Sequence, residues 1–204
     1  MSRYLIFAVV GLVLLLFSIS GTAVAVAFPV ITSSFDASLI LAGWVLNAFQ
    51  LTSTITMPLA GKVSDAIGRK STFLLSLSLW TVGSLLCAIA PNIELLILFR
   101  FIQGLGGGGF LPSAAGIVAD KFPRARQQAL GLFTSIMPIG QMSGPLQGAW
   151  LTTAFAWRSI FGFYIPLGGI ALVASALLLR TGQKETTDIE LVGAGVFAGS
   201  LFAL

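Results

Sequence analysis

Gly61-Lys-Val-Ser-Asp65-Ala-Ile-Gly68-Arg69-Lys70 interrupts the chain between two apolar runs, Leu39–Ala60 and Ser71–Ala90. Each run is about 20 residues long, enough to cross a hydrocarbon layer of roughly 30 Å as a helix. A break this short makes the two helices antiparallel neighbours. It also places three cations and one carboxylate where the chain returns to water. Taken alone, the stretch is a solvated loop obeying the bias of Lys and Arg toward one side of a membrane.

The rest of the chain has the same character. It is 204 residues long, 56% hydrophobic and only 9% charged, with a mean hydropathy of +0.99. A soluble domain carries about 25% charged residues, so this is an all-α polytopic membrane protein with no separate soluble domain. Six spans are predicted, at about 5–31, 39–60, 71–90, 93–119, 128–150 and 159–180. The first is too long for a signal-peptide core. A mixed-charge inner loop follows at 181–190. The last run, 191–204, is 14 residues, roughly 21 Å as helix, too short to cross. It is read as a truncated seventh helix.

Of the eleven Lys and Arg residues, nine fall on the side of the N-terminus: Arg3, Lys62, Arg69, Lys70, Lys121, Arg124, Arg126, Arg180 and Lys184. Arg158 falls on the other side and Arg100 within a span. This asymmetry places the N-terminus in the cytoplasm and accounts for the net charge of +4 without a nucleic-acid partner. A plasma membrane, in a bacterium the inner one, is the expected location. Cys87 is alone and histidine is absent. An internal disulfide, a Cys/His metal site and histidine proton transfer are thereby excluded. No nucleophile–base pair is available, so enzymatic chemistry is not expected.

Polar residues inside the spans are the functional candidates. Ser18, Ser20, Gly21 and Thr22 interrupt the first. In the second, Trp44, Asn47, Gln50 and Thr54 share one helical face. They serve either as interhelical hydrogen bonding or as a cavity lining. In the fourth, Arg100, Gln103, Gly104 and Gly107 form one stripe. Arg100 lies about 10 Å from the helix start at 1.5 Å per residue, where an unpaired cation is costly. It either faces an internal site or snorkels to the interface. Gly104, Gly106 and Gly109 also spell a dinucleotide-binding pattern, but no strand precedes it. In the fifth span, Gly140, Gly144 and Gly148 make a groove along one face, and Pro145 bends the helix beside it.

Several of these stretches resemble the major facilitator superfamily. Gly61, Asp65, Gly68, Arg69 and Lys70 resemble the signature between its helices 2 and 3, which implies a cytoplasmic gate. Arg100-x-x-Gln103-Gly104 resembles its helix-4 pattern, which implies a coupling or substrate-charge site. Gly140-x-x-x-Gly144-Pro145-x-x-Gly148 is similar to the helix-5 motif of its antiporters, with Ala149 in place of a final glycine. Trp157-Arg158-Ser-Ile-Phe161, followed by Pro166 and Gly168, is similar to a pattern opening helix 6, with Tyr164 where Asn is usual. Ser20-Gly-Thr22 through Ala27 and Pro29 resembles helix 1 of the fourteen-helix drug:proton antiporter branch. Ser20 replaces that branch's Asp, and Ala25 its Asn.

The resemblance implies a six-helix N-terminal bundle built as a 3+3 inverted repeat. The breaks at Gly61–Lys70 and Trp157–Ser159, on opposite faces, suit that inversion. It further implies proton-coupled efflux of amphipathic small molecules by alternating access, with the proton gradient as energy source and no cofactor. Ser20, Thr22, Asn47, Gln50, Thr54 and Gln141 are the substrate-cavity candidates. The expected partners are a small-molecule substrate, the lipid bilayer, and a missing C-terminal helical bundle or a second copy. Two alternatives stay open: a metabolite or lipid exporter without proton coupling in this half, and a truncated fragment that does not transport.

Overall fold

The computed structural model describes residues 3–179. The loop expected at 181–190 and the short helix expected at 191–204 lie outside the described residues. Among the described residues every regular element is helical. α1 is Arg3–Ser34, α2 Leu39–Ile67, α3 Arg69–Ala88, α4 Ile93–Gly108 and α5 Phe110–Lys121. A short 3-10 turn, Pro123–Ala125, leads to α6 (Arg126–Thr134), α7 (Ile136–Phe155) and α8 (Arg158–Leu178). Five segments are long and apolar enough to cross a membrane: α1, α2, α3, α4 with α5, and α8. α7 runs between α1 and α8 as the remaining member of the six-helix bundle.

The breaks follow from single residues. Ser38 caps α2, its hydroxyl accepting from the Leu41 amide at 3.2 Å, and Asn92 caps α4 through the Leu95 amide at 2.9 Å. Pro112 has no N–H to give Gly108, and the fourth span is interrupted at Gly109. Pro138 likewise cannot bond Thr134, and the fifth span, expected as one run over 128–150, breaks at Ser135.

The stretch Gly61–Lys70 is mostly helix rather than loop. α2 continues through Ile67, and Gly68 alone separates it from α3. Nothing in 61–67 stops a helix, and Lys62 and Asp65 in those two turns are exposed. Gly68 turns the chain at φ +92°, ψ 146°, a region L side chains avoid.

The same backbone conformation recurs at the opposite end of the bundle, where Ala156 has φ 84°, ψ 158°. Two residues beyond each turn stands a cation that reaches the far helix. Lys70 Nζ donates to the Ala176 carbonyl near the end of α8 at 3.0 Å. Arg158 Nη2 donates to the Ala90 carbonyl just past α3 at 2.9 Å. α3 and α8 are thus clamped at both ends, each by a cation at the other's carbonyl-rich terminus. This is the inverted repeat expressed as contacts. Ala156 carries a Cβ where its counterpart has none, so Ala156→Gly is expected to raise stability by about 1 kcal/mol. Thermal unfolding in detergent would check this.

Small residues bring the helices together, because lipid supplies no hydrophobic drive between spans. The glycines of α4 face two ways. A Cβ on Gly104 would lie 2.8 Å from the Phe49 carbonyl oxygen of α2, and one on Gly106 2.6 Å from the Ser76 carbonyl oxygen of α3. The dinucleotide-like spacing is therefore a backbone-to-backbone contact on both flanks. In α7, Gly140, Gly144 and Gly148 are buried along α1, where added Cβ atoms would meet Ser18, Ile19 and Ala23. A chain of rings crosses the centre: Phe49 to Phe17 to Phe110 to Trp80 to Tyr164, with centroids 5.3–5.9 Å apart.

Candidate functional site

Arg100 is buried, at 1% exposure, so its guanidinium does not snorkel to the helix end. Nε donates to the Val45 carbonyl of α2 at 2.9 Å, and Nη1 to Gln103 Oε1 one turn along α4 at 2.7 Å. Gln103 Nε2 then donates to Ser84 Oγ of α3 at 2.7 Å, and Ser84 donates to its own Trp80 carbonyl at 2.8 Å. Cζ sits 4.1 Å from the centroid of the Phe49 ring and 5.8 Å from that of Phe161 in α8. One cation thus ties α2, α3, α4 and α8. Gly83 permits this approach, since a Cβ there would fall 2.6 Å from Gln103 Cα. Nη2 has no partner among the described residues. Arginine holds its proton throughout the physiological range, so the group acts as a fixed charge.

Beside this network lies a cleft of about 220 Å³ between α1, α2, α4–α5 and α7. Ser18, Thr22, Gln50, Ser53, Thr54 and Gln141 supply its polar groups, and Phe17, Phe49, Met57 and Met137 are among its apolar ones. No charged side chain lines it. Phe49 belongs to both sites: it lines the cleft and carries Arg100 against its ring.

Ser20 and Asn47 are not part of the lining. Ser20 is 1% exposed and donates to the Phe17 carbonyl of its own helix. Asn47 shares a helix face with Gln50 but is exposed away from the cleft. The aromatic and thioether members of the lining were not singled out from the sequence, where they read as ordinary apolar residues.

At the Gly68 turn, Arg69 forms an ion pair with Asp120 at the end of α5 and donates to the Gly116 carbonyl at 2.9 Å. In the sequence Asp120 stands beside the basic residues Lys121, Arg124 and Arg126. Asp65 is exposed and has no ion pair among the described residues. The charged residues of the Gly61–Lys70 stretch therefore divide: Arg69 and Lys70 are engaged within the bundle, while Asp65 projects from it. Tyr164, standing where the resemblance places Asn, donates to Gln147 Oε1 at 2.5 Å and joins α8 to α7.

The apolar helices and the uncharged cleft beside a buried arginine define a multi-pass membrane protein with an internal cleft. The chain belongs to the Major Facilitator Superfamily, whose family model matches residues 10–201. It is 33% identical over 192 residues to the multidrug transporter protein MdtP of Bacillus subtilis, covering 93% of this chain and 35% of that protein. It is 34% identical over 168 residues to a multidrug resistance protein B homolog of Mycobacterium tuberculosis, covering 82% and 31%. The chain spans about a third of the length of the curated relatives it matches. Among solved structures, the human organic anion transporter MFSD10 (TETRAN) superposes with a TM-score of 0.77 at 19% identity, covering 97% of this chain and 53% of that one. That likeness speaks for the fold. The family consists of transporters, not enzymes.

Proposed function

We propose that this chain forms the N-terminal half-bundle of an efflux transporter for amphipathic small molecules, working by alternating access and driven by the proton gradient. The cleft is the observation that carries the reading. Its neutral hydroxyls and amides beside aromatic and thioether groups bind by area and adaptable contact rather than by a fixed charge. At about 220 Å³ it falls below the roughly 300–1,000 Å³ of complete small-molecule pockets. It is therefore half of a site, closed by a second helical bundle across the seam. The names of the relatives point to drugs as cargo.

In this reading the Gly68 end of the bundle faces the cytoplasm, and Asp65 is free to latch onto the facing bundle. Among the described residues the carboxylates Asp36, Asp65, Glu94 and Asp120 all stand at or beyond helix ends. The proton carrier therefore belongs to residues outside 3–179. Arg100 contributes a fixed charge whose position is linked to the cleft through Phe49. A second reading, export without proton coupling, is favoured by the same placement of the carboxylates.

The test is efflux of a fluorescent cationic dye from proteoliposomes holding the full-length protein under an imposed pH gradient. Gradient-dependent efflux is expected; efflux unaffected by collapsing the gradient selects the second reading, and none for any amphipathic probe rejects transport. Asp65→Asn is expected to slow efflux about tenfold by removing the charge of the latch. An unchanged rate would mean that Asp65 is merely solvated.

A further inference from the structure

We infer that Thr22 is a positioning residue whose hydroxyl replaces the amide that Pro145 lacks, and so fixes how α1 seats against the bend of α7. In a helix, residue 145 would donate its N–H to the carbonyl of residue 141. Proline has no N–H, and its ring pushes that carbonyl outward. A carbonyl freed this way in a membrane helix is re-satisfied by a neighbouring helix, a Ser or Thr hydroxyl or water, and that of Gln141 stands at the cleft wall facing α1. Thr22 Oγ1 lies 3.1 Å from the Gln141 carbonyl oxygen, with its own Ile19 carbonyl farther off at 3.3 Å. A hydroxyl has a single hydrogen, and the nearer acceptor is the one across the seam.

Gly144 completes the arrangement. A Cβ at that position would fall on Thr22 Oγ1 and stand 2.7 Å from the Ile19 carbonyl oxygen. Glycine at 144 leaves room for the threonine, proline at 145 frees the acceptor, and threonine at 22 supplies the donor. Most other hydroxyls in these spans turn back on their own helix, as Ser20, Thr52, Thr54 and Ser143 do. Thr22 instead joins two helices at the wall of the cleft. Helix packing alone accounts for the glycines, but not for a proline set between them opposite a hydroxyl. Thr22 was a cavity candidate from the sequence. The geometry gives its hydroxyl to the α7 backbone rather than to cargo.

The test is a double-mutant cycle in the full-length protein. Thr22→Val keeps the shape and removes the donor; Thr22→Ser keeps the donor. Pro145→Ala restores the amide that serves the Gln141 carbonyl from within α7. Hydrogen bonds between spans are worth about a threefold change in an equilibrium, rising to about tenfold in favourable cases. With Pro145 present, Thr22→Val is expected to slow dye efflux about threefold to tenfold and to lower the melting temperature by about 2 °C. Thr22→Ser restores both quantities. In the Pro145→Ala background, Thr22→Val is expected to change neither.

Equal losses with Pro145 intact and in the Pro145→Ala background would overturn the inference. So would a loss of dye affinity with no change in melting, which would make Thr22 a cargo ligand. The efflux arm rests on the transport reading above, whereas the melting arm does not. A melting shift that depends on Pro145, in a protein that moves no dye, would uphold the tie while rejecting that reading.

Discussion

Arg100→Ala in the full-length protein is expected to lower efflux by about a hundredfold or more, close to 3 kcal/mol of lost stabilisation in the transport cycle. The guanidinium donates to the Val45 carbonyl and to Gln103, and lies over the Phe49 ring. Its loss strips a partner from Gln103 and opens a void where α2, α3, α4 and α8 meet. A buried polar group deprived of its partner costs about 1–3 kcal/mol. Arg100→Lys is expected to keep a fraction of the activity. An ammonium preserves the charge but not the fork that serves two acceptors at once. Efflux should be measured beside melting temperature, to separate a misfolded bundle from a folded one that cannot cycle. Full efflux by Arg100→Ala would reduce the arginine to a dispensable interior group.

Gly106→Ala is expected to be among the most damaging single-methyl changes in the bundle, costing about 3 kcal/mol or more of stability. The added Cβ would lie 2.6 Å from the Ser76 carbonyl oxygen and 2.9 Å from the Leu79 carbonyl carbon. Both belong to the backbone of α3, which cannot swing aside as a side chain can. α3 would have to separate from α4, drawing Ser84 away from Gln103 and pulling on the clamp to α8. Gly61→Ala is the control, since a Cβ there meets nothing within 4 Å. It stands in α2, where alanine favours helix by up to about 1 kcal/mol. The two variants should therefore move the melting temperature in opposite directions. Similar melts for both would mean that α3 and α4 do not approach as closely as described.

Much of this molecule was legible before its structure. Hydropathy alone pointed to the apolar runs that became α1, α2, α3, α4 with α5, and α8, because a membrane requires about 20 apolar residues for each crossing. The glycines of α7 announced a grooved helix, and they are buried against α1. Arg100, the lone cation within a span, announced an interior site. Other features were hidden for definite reasons. Gly61–Ile67 carries loop-like polarity, yet a helix can extend past the membrane into water while keeping its backbone bonded. Asp120 precedes a run of basic residues; nothing within 120–128 reveals that Arg69, over fifty residues earlier in the chain, is its partner. Ser20 and Thr22 are two residues apart in one motif, and rotation about the helix axis sends only Thr22 to the cleft.

By itself the sequence determined that the chain is helical, where its long apolar runs lie, and which charge is buried among them. Each depends on the solvent a residue prefers and on spacing along one helix. The tertiary structure alone decided which helix fills the groove of α7, which carbonyl receives Arg100, and which polar groups share a cleft. Those depend on the rotation and approach of separate helices, fixed where glycine lets two backbones touch and where a proline leaves a carbonyl in need of a donor.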